Sequence, residues 1–218
     1  MVEAYYHDNK DTEDNFSEAH NSGEPVALSH LESIGVIYHN ISTTEDLDTL
    51  AQKRNYKNRD VVNLSLATFP DLEAFNNKMK QFYKEHYHED EEIRYILDGE
   101  GYFDVRNEND KWIRTKLVKN DLLILPAGIY HRFTLTNDSK YVKAVRLFKD
   151  EPKWEAINRD LGKESEARVE YVKTLVVWSW ITLSEVKLLV RDHYQFPVIT
   201  ISSCDRNSSD SILSLSAS

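Results

Sequence analysis

The spacing of apolar and polar positions changes twice along the chain. From Thr44 to Lys57, TEDLDTLAQKRNYK carries acids near its start and bases near its end. That arrangement complements a helix dipole and predicts a helix. Asp71 to Tyr83, DLEAFNNKMKQFY, predicts a second, because Leu72, Phe75, Met79 and Phe82 recur at helical spacing and form one apolar stripe. From His86 the period shortens. EIRYILDG, GYFDVRN, WIRTKLVK, DLLILPAG, HRFTLTN and YVKAVRLF are short strand-like runs separated by turn signals. Asp98-Gly99 and the NEND of Asn107 to Asp110 mark hairpins. Six short strands at this spacing predict an antiparallel barrel or sandwich, mainly β, with a few flanking helices. After EPKWEAINR the pattern weakens. Ser202 to Ser218 is serine-rich, buries too little surface to offset ordering, and is expected to be disordered. The expected organisation is one domain over 1–175 with an N-terminal helical segment, then an atypical extension over 176–218.

Composition narrows the classes of function. A length of 218 residues suits one domain with appendages. The formal net charge of -10 argues against nucleic acid and anionic lipid as partners, since both need clustered Lys and Arg. One cysteine, Cys204, excludes an internal disulfide and fits a reducing compartment, so a cytoplasmic location is expected, with the nucleus as a second. The N-terminal MVEAYYHDNKDTEDNF has neither a basic region nor an apolar one, and reads as no secretion signal. The most apolar segment, Leu175 to Val190, has an uncharged run about half the ~20 residues of a membrane span, and Glu185 and Lys187 interrupt it. No membrane span is expected.

The candidate chemistry starts at His86. Side chains alternate faces along a strand, so His86 and His88 point the same way, and Glu92, Arg94 and Ile96 share their parity if the extended run continues. Two histidines at this spacing are as often ordinary surface or core residues, and the acids Glu89 to Glu92 can be a solvated face. LPAGIYHRF shifts the balance, because Pro126 and Gly128 form a turn that delivers His131 at the start of another strand. Imidazoles suit Fe, Ni, Zn and Cu, and a carboxylate adds a hard anionic ligand. Three His and one Glu leave an octahedral ion two open positions.

HYHEDEEIRYILDG and PAGIYH resemble the two cupin motifs. The longer strings DEEIRYILDGEGYFDVR, LPAGIYHRF and YVKAVRLFKDEPKWEAINR are similar to acireductone dioxygenases of the eukaryotic type, a cupin family of methionine salvage. The similarity runs from about Met1 to about Leu175 and takes in RNYKNRDVVNLS and ARVEYVKTL. Two positions depart from the general cupin pattern: Asn120 stands where Gly usually opens the second motif, and Leu135 where Asn often closes it. Asn tolerates the left-handed turn required at 120.

The resemblance implies that His86, His88, Glu92 and His131 hold one divalent ion per chain, Fe(2+) or Ni(2+). It implies a small ene-diol substrate, 1,2-dihydroxy-3-keto-5-methylthiopentene, cleaved with O2. With iron the expected products are 4-methylthio-2-oxobutanoate and formate. With nickel they are methylthiopropionate, formate and carbon monoxide. Arg94, two residues from a ligand and on its face, is assigned the cation that offsets a dianionic substrate; the alternative is a salt bridge to one of the acids. Phe133 shares the parity of His131 and either walls the pocket or is plain core, while Arg132 points to the opposite face. The resemblance also implies a monomer and a protein partner, the tail of a membrane metalloproteinase. Two other functions compete: a different cupin enzyme such as a sugar-phosphate isomerase, and a non-enzymatic interaction protein.

Overall fold

The computed structural model describes residues 2–149, 155–159 and 165–175, all within the unit Met1–Trp180. The expected extension over 176–218, its serine-rich end and the apolar stretch after Leu175 lie outside the described residues.

Both expected helices form. The first, α2 (Thr44–Lys53), follows a shorter α1 (Leu28–Ser33). Thr43 caps α2 by accepting from the Asp46 amide at 3.2 Å, and Leu47 and Ala51 are buried. It ends four residues earlier than its charge pattern suggests, because Asn55 turns left-handed at φ 59° and breaks the ladder. Helix α3 (Leu72–Tyr83) starts where Asp71 accepts from the Ala74 amide at 2.7 Å. A cap contributes about 1 kcal/mol. Burying Phe75 and Met79 contributes roughly 1.5–3 kcal/mol each, so packing is the stronger anchor. Leu72 departs from the predicted stripe and is 57% exposed.

The strands are β1 (Glu3–His7), β2 (Asn21–Pro25), β3 (Ile37–Asn40), β4 (Asn58–Ser65), β5 (His86–Tyr87), β6 (Glu92–Arg106), β7 (Trp112–Val118), β8 (Asp121–Leu125), β9 (His131–Leu135), β10 (Tyr141–Phe148) and β11 (Ile157–Asn158). The N-terminal segment expected to be helical therefore alternates strand and helix. The short β1 to β3 carry too few residues for a visible period.

Pairing is antiparallel and hinges on β6. Its first half, Glu92–Tyr95, pairs with β8, and Ile93–Gly99 pairs with β10; with β4 and β3 at the edges these strands make one layer. Its second half pairs with β7 and β9, and β11, β5, β1 and β2 extend that second layer. The inner faces meet in one core, Ile96, Val142 and Ala144 against Phe103, Val105 and Leu135. This is the two-layered, mainly β barrel that the strand pattern and the cupin resemblance predict.

The Asp98-Gly99 hairpin does not form. EIRYILDG and GYFDVRN are one strand, and Gly99, at φ +73°, bends it where it passes from one layer to the other. The NEND hairpin does form: the Asn107 amide donates to the Lys111 carbonyl at 3.0 Å between β6 and β7. Asn120 takes the left-handed turn expected of it, at φ 76°. Among the described residues no helix is long and apolar enough to cross a membrane.

Candidate metal centre

His86 and His131 are direct cross-strand partners on β5 and β9. His88 follows where the chain leaves β5 and turns before β6 begins at Glu92. The extended run is therefore broken between His88 and Glu92, and parity alone does not join them. The turn does so instead, by carrying the chain from one layer to the other. The result brings the four residues together. His88 Nε2 lies 3.1 Å and His131 Nε2 3.4 Å from Glu92 Oε2. The His86 and His131 ring centroids are 4.5 Å apart, those of His88 and His131 5.4 Å.

Each imidazole is aimed by a carbonyl, which can only accept a hydrogen bond. Nδ1 of His86 donates to Lys84 O at 2.7 Å, Nδ1 of His88 to Glu155 O at 2.9 Å, and Nδ1 of His131 to Ile129 O at 3.0 Å. This sets the tautomer and leaves a lone pair on every Nε2. Those lone pairs face one another and a carboxylate. The buried Nε2 of His131 makes no hydrogen bond with good geometry, although Glu92 is near. Electron-rich atoms converging on one point, one of them buried without a donor, fit a divalent cation.

The electrostatics agree. Burial pushes the pKa of His86 down to about 3, so it is neutral. Burial opposes charge on His88 too, but the Glu92 carboxylate outweighs it and raises its pKa, so the site draws positive charge inward. Burial alone would raise the pKa of Glu92; Arg94 and His131 overcome it and hold the carboxyl well below the ordinary range. Three imidazole nitrogens and one carboxylate oxygen suit iron, nickel or zinc.

Arg94 points into the same cavity, with Nη2 3.1 Å from Glu92 Oε1 and Nη1 donating to the Ile93 carbonyl at 3.0 Å. Arg94 thus lines the cavity and is salt-bridged to an acid. Phe133 lines the cavity and packs on Phe82 and Phe103. Arg132 lies on the far side of its strand, against Asp104 and Asp11.

The cavity measures about 370 Å³. Beyond the polar end its wall is apolar, from Val62, Leu64, Ile96, Phe103 and Ala144, with Lys78, Gln81 and Phe82 of α3 on another side. Arg146 also lines it and was not legible as a site residue. It is the cross-strand partner of Arg94 and is held by Asp60 at 2.8 and 2.5 Å. Like charges directly opposite destabilise a sheet, and only the strand register reveals this pair.

A second cluster, His7, Asp8 and His20, lies within metal-ligand range, but its nitrogens are engaged. His20 Nε2 donates to Asn15 O, His20 Nδ1 faces Asp8, and His7 Nδ1 accepts from the Asn9 amide. The neighbouring Arg114 and Arg132 also repel a cation from His7.

Comparison with known proteins points to one family. The ARD/ARD' family matches residues 3–156. The acireductone dioxygenase of Candida albicans (strain WO-1) is 70% identical over 178 residues, 81% of this chain and 100% of that protein. The acireductone dioxygenase of Emericella nidulans is 52% identical over 180 residues, covering 82% and 98%, and that of Saccharomyces cerevisiae 51% identical over 175, covering 79% and 97%. Among solved structures, an acireductone dioxygenase from Bacillus anthracis with a cadmium ion in its active centre superposes with a TM-score of 0.55 at 22% identity, over 72% of this chain and 98% of that one; it supports the fold. With its family match and its relatives spanning most of its length, this chain belongs to the acireductone dioxygenase family.

Proposed function

We propose that this chain is a metal-dependent dioxygenase that cleaves 1,2-dihydroxy-3-keto-5-methylthiopentene with O2, and that His86, His88, Glu92 and His131 hold its divalent ion. The observation that carries this reading is the convergence of three Nε2 lone pairs and one carboxylate at the polar end of a cavity whose far wall is apolar. A divalent ion there supplies Lewis acidity that stabilises the enediolate form of the substrate.

The chain does the rest. Carbonyls at Lys84, Ile129 and Glu155 hold the imidazoles in one tautomer. Arg94 lies against Glu92 and cancels its charge, so a dication keeps its full charge toward a dianionic substrate. Val62, Ile96, Phe103 and Phe133 offer an apolar wall to a methylthio tail. A sugar-phosphate isomerase fits less well, because the two arginines of the cavity are committed to Glu92 and Asp60. The ligand set accommodates iron or nickel, with the keto-acid products following from iron and carbon monoxide from nickel. A monomeric state, a cytoplasmic and nuclear location, and a metalloproteinase-tail partner belong to this proposal as well.

Elemental analysis and oxygen uptake test it together. The purified protein should carry one transition metal per chain and consume O2 with the ene-diol. His86→Ala, His88→Ala and His131→Ala should lose both. Arg94→Ala should keep the metal and lose substrate affinity in anaerobic titration. A folded wild type that takes up no metal, with unchanged histidine variants, would overturn the assignment. Product analysis of iron-loaded and nickel-loaded protein separates the two outcomes.

A further inference from the structure

The three imidazoles facing Glu92 are not aimed by equivalent carbonyls. His86 and His131 each donate to a carbonyl two residues upstream. Those bonds form wherever the local backbone forms. His88 donates to Glu155 O, a residue 67 positions away in sequence. Its orientation therefore depends on where a remote segment is placed.

That segment, 155–159, runs along the open edge of β5. Ile157 pairs with Tyr87 and Asn158 with His86, and the Arg159 amide donates to Glu85 O at 3.3 Å. Ala156 adds to the cavity wall. Two paired residues are a weak hold. The side chain of Arg159 adds a stronger one. Its Nη1 donates to Glu85 Oε1 and to Asp110 Oδ1, both at 2.7 Å, and Nη2 to Asp110 Oδ2 at 3.0 Å. Its guanidinium also sits 4.8 Å from the Tyr130 ring centroid. Arg106 grips the same Glu85 from the other side at 3.1 and 3.0 Å. Arg159 thus ties the segment to the residue before His86, to the residue before His131 and to the β6–β7 turn.

We propose that Arg159 is a positioning residue for the metal site: it latches segment 155–159 so that the Glu155 carbonyl stays on His88 Nδ1 and His88 Nε2 stays turned into the cavity. The inference rests on the ligand assignment made above. Its effect belongs at the metal rather than in the fold. The Arg159 side chain is 39% exposed, and exposed ion pairs contribute little to global stability.

The test uses the full chain loaded with one equivalent of Co(II), read by its visible ligand-field bands, by metal release to a chelator, and by deuterium exchange at 85–88. Arg159→Ala should release the ion roughly tenfold or more faster, in the range found for outer partners of metal ligands. Its bands should shift and its 85–88 amides should exchange faster, while the unfolding midpoint measured after the ion is chelated moves by less than about 3 °C. Arg159→Lys, which keeps the charge without the planar fork, should recover part of the retention. Lys173→Ala, which breaks an exposed pair with Glu170 elsewhere, should match wild type. If Arg159→Ala fails to fold, Asp110→Asn loosens the latch from its other end, at a left-handed position (φ 59°) that Asn accepts. Wild-type release and bands in the folded latch variant overturn the proposal, whether or not the amides exchange faster. A wild type that binds no Co(II) overturns the ligand assignment and the latch with it; a wild type that holds Co(II) beside unmoved latch variants overturns the latch alone.

Discussion

Asp104 is 1% exposed and lies between two guanidiniums, Arg114 at 2.7 and 2.9 Å and Arg132 at 2.7 Å. Burial would raise its pKa, and the two arginines hold it down instead. Asp104→Ala leaves both cations without their shared anion and should cost roughly 3–5 kcal/mol in urea unfolding; a loss below about 1 kcal/mol would contradict this account. His7, stacked on His20 in the same cluster, has its pKa lowered to about 4, first by burial and then by Arg114 and Arg132, with Asp104 and Asp11 opposing. Its folded pKa lies below the unfolded value near 6.5. Stability is therefore full above about pH 6.5 and falls as pH drops toward 4, by up to roughly 1.4 kcal/mol per unit. His7→Gln should flatten that slope. Taking the difference from wild type removes the similar contribution of His86. At this scale the sequence was legible where spacing carried chemistry, as at His86, His88 and His131. It was silent on Asp104, Arg114 and Arg146, because opposite charges become partners only through a register that no local pattern encodes.

The element that organises the molecule is β6, and its local signals misled. Asp98-Gly99 between apolar runs is a strong hairpin cue, and the positive φ it requires is present. That backbone freedom serves a bend within one strand instead, because Gly99 finds its partner in Val142 of β10 rather than in the residues just ahead of it. Helices α2 and α3 were legible because capping and periodicity are local. Gly99→Ala should be strongly destabilising. A Cβ there meets the backbone carbonyl of Tyr141, which cannot rotate away, and the left-handed conformation adds about 1–2 kcal/mol. Overpacking adds a comparable amount. Thermal unfolding should show a loss of at least about 2 kcal/mol, and a wild-type midpoint would remove the close approach as its cause.

For the whole molecule, the barrel class followed from six strand-like runs, even though two of them fuse. The boundary near Leu175 came from resemblance and composition. We propose that truncation after Leu175 leaves metal content and oxygen uptake intact and improves solubility, since every assigned ligand and every described cavity residue lies before it. Light scattering and oxygen uptake on both chains check this, and a truncated protein that fails to fold would move the boundary. One feature at this scale bears on folding itself. Glu92 pairs in one layer, with Leu125 of β8, while His86 and His131 pair in the other. A cation held by all of them behaves as a removable cross-link between the layers, present only when they have closed on each other. Metal and folding are then thermodynamically linked. Free ion at a thousand times its dissociation constant should add about 4 kcal/mol to the unfolding free energy, and chelation should take the same amount away.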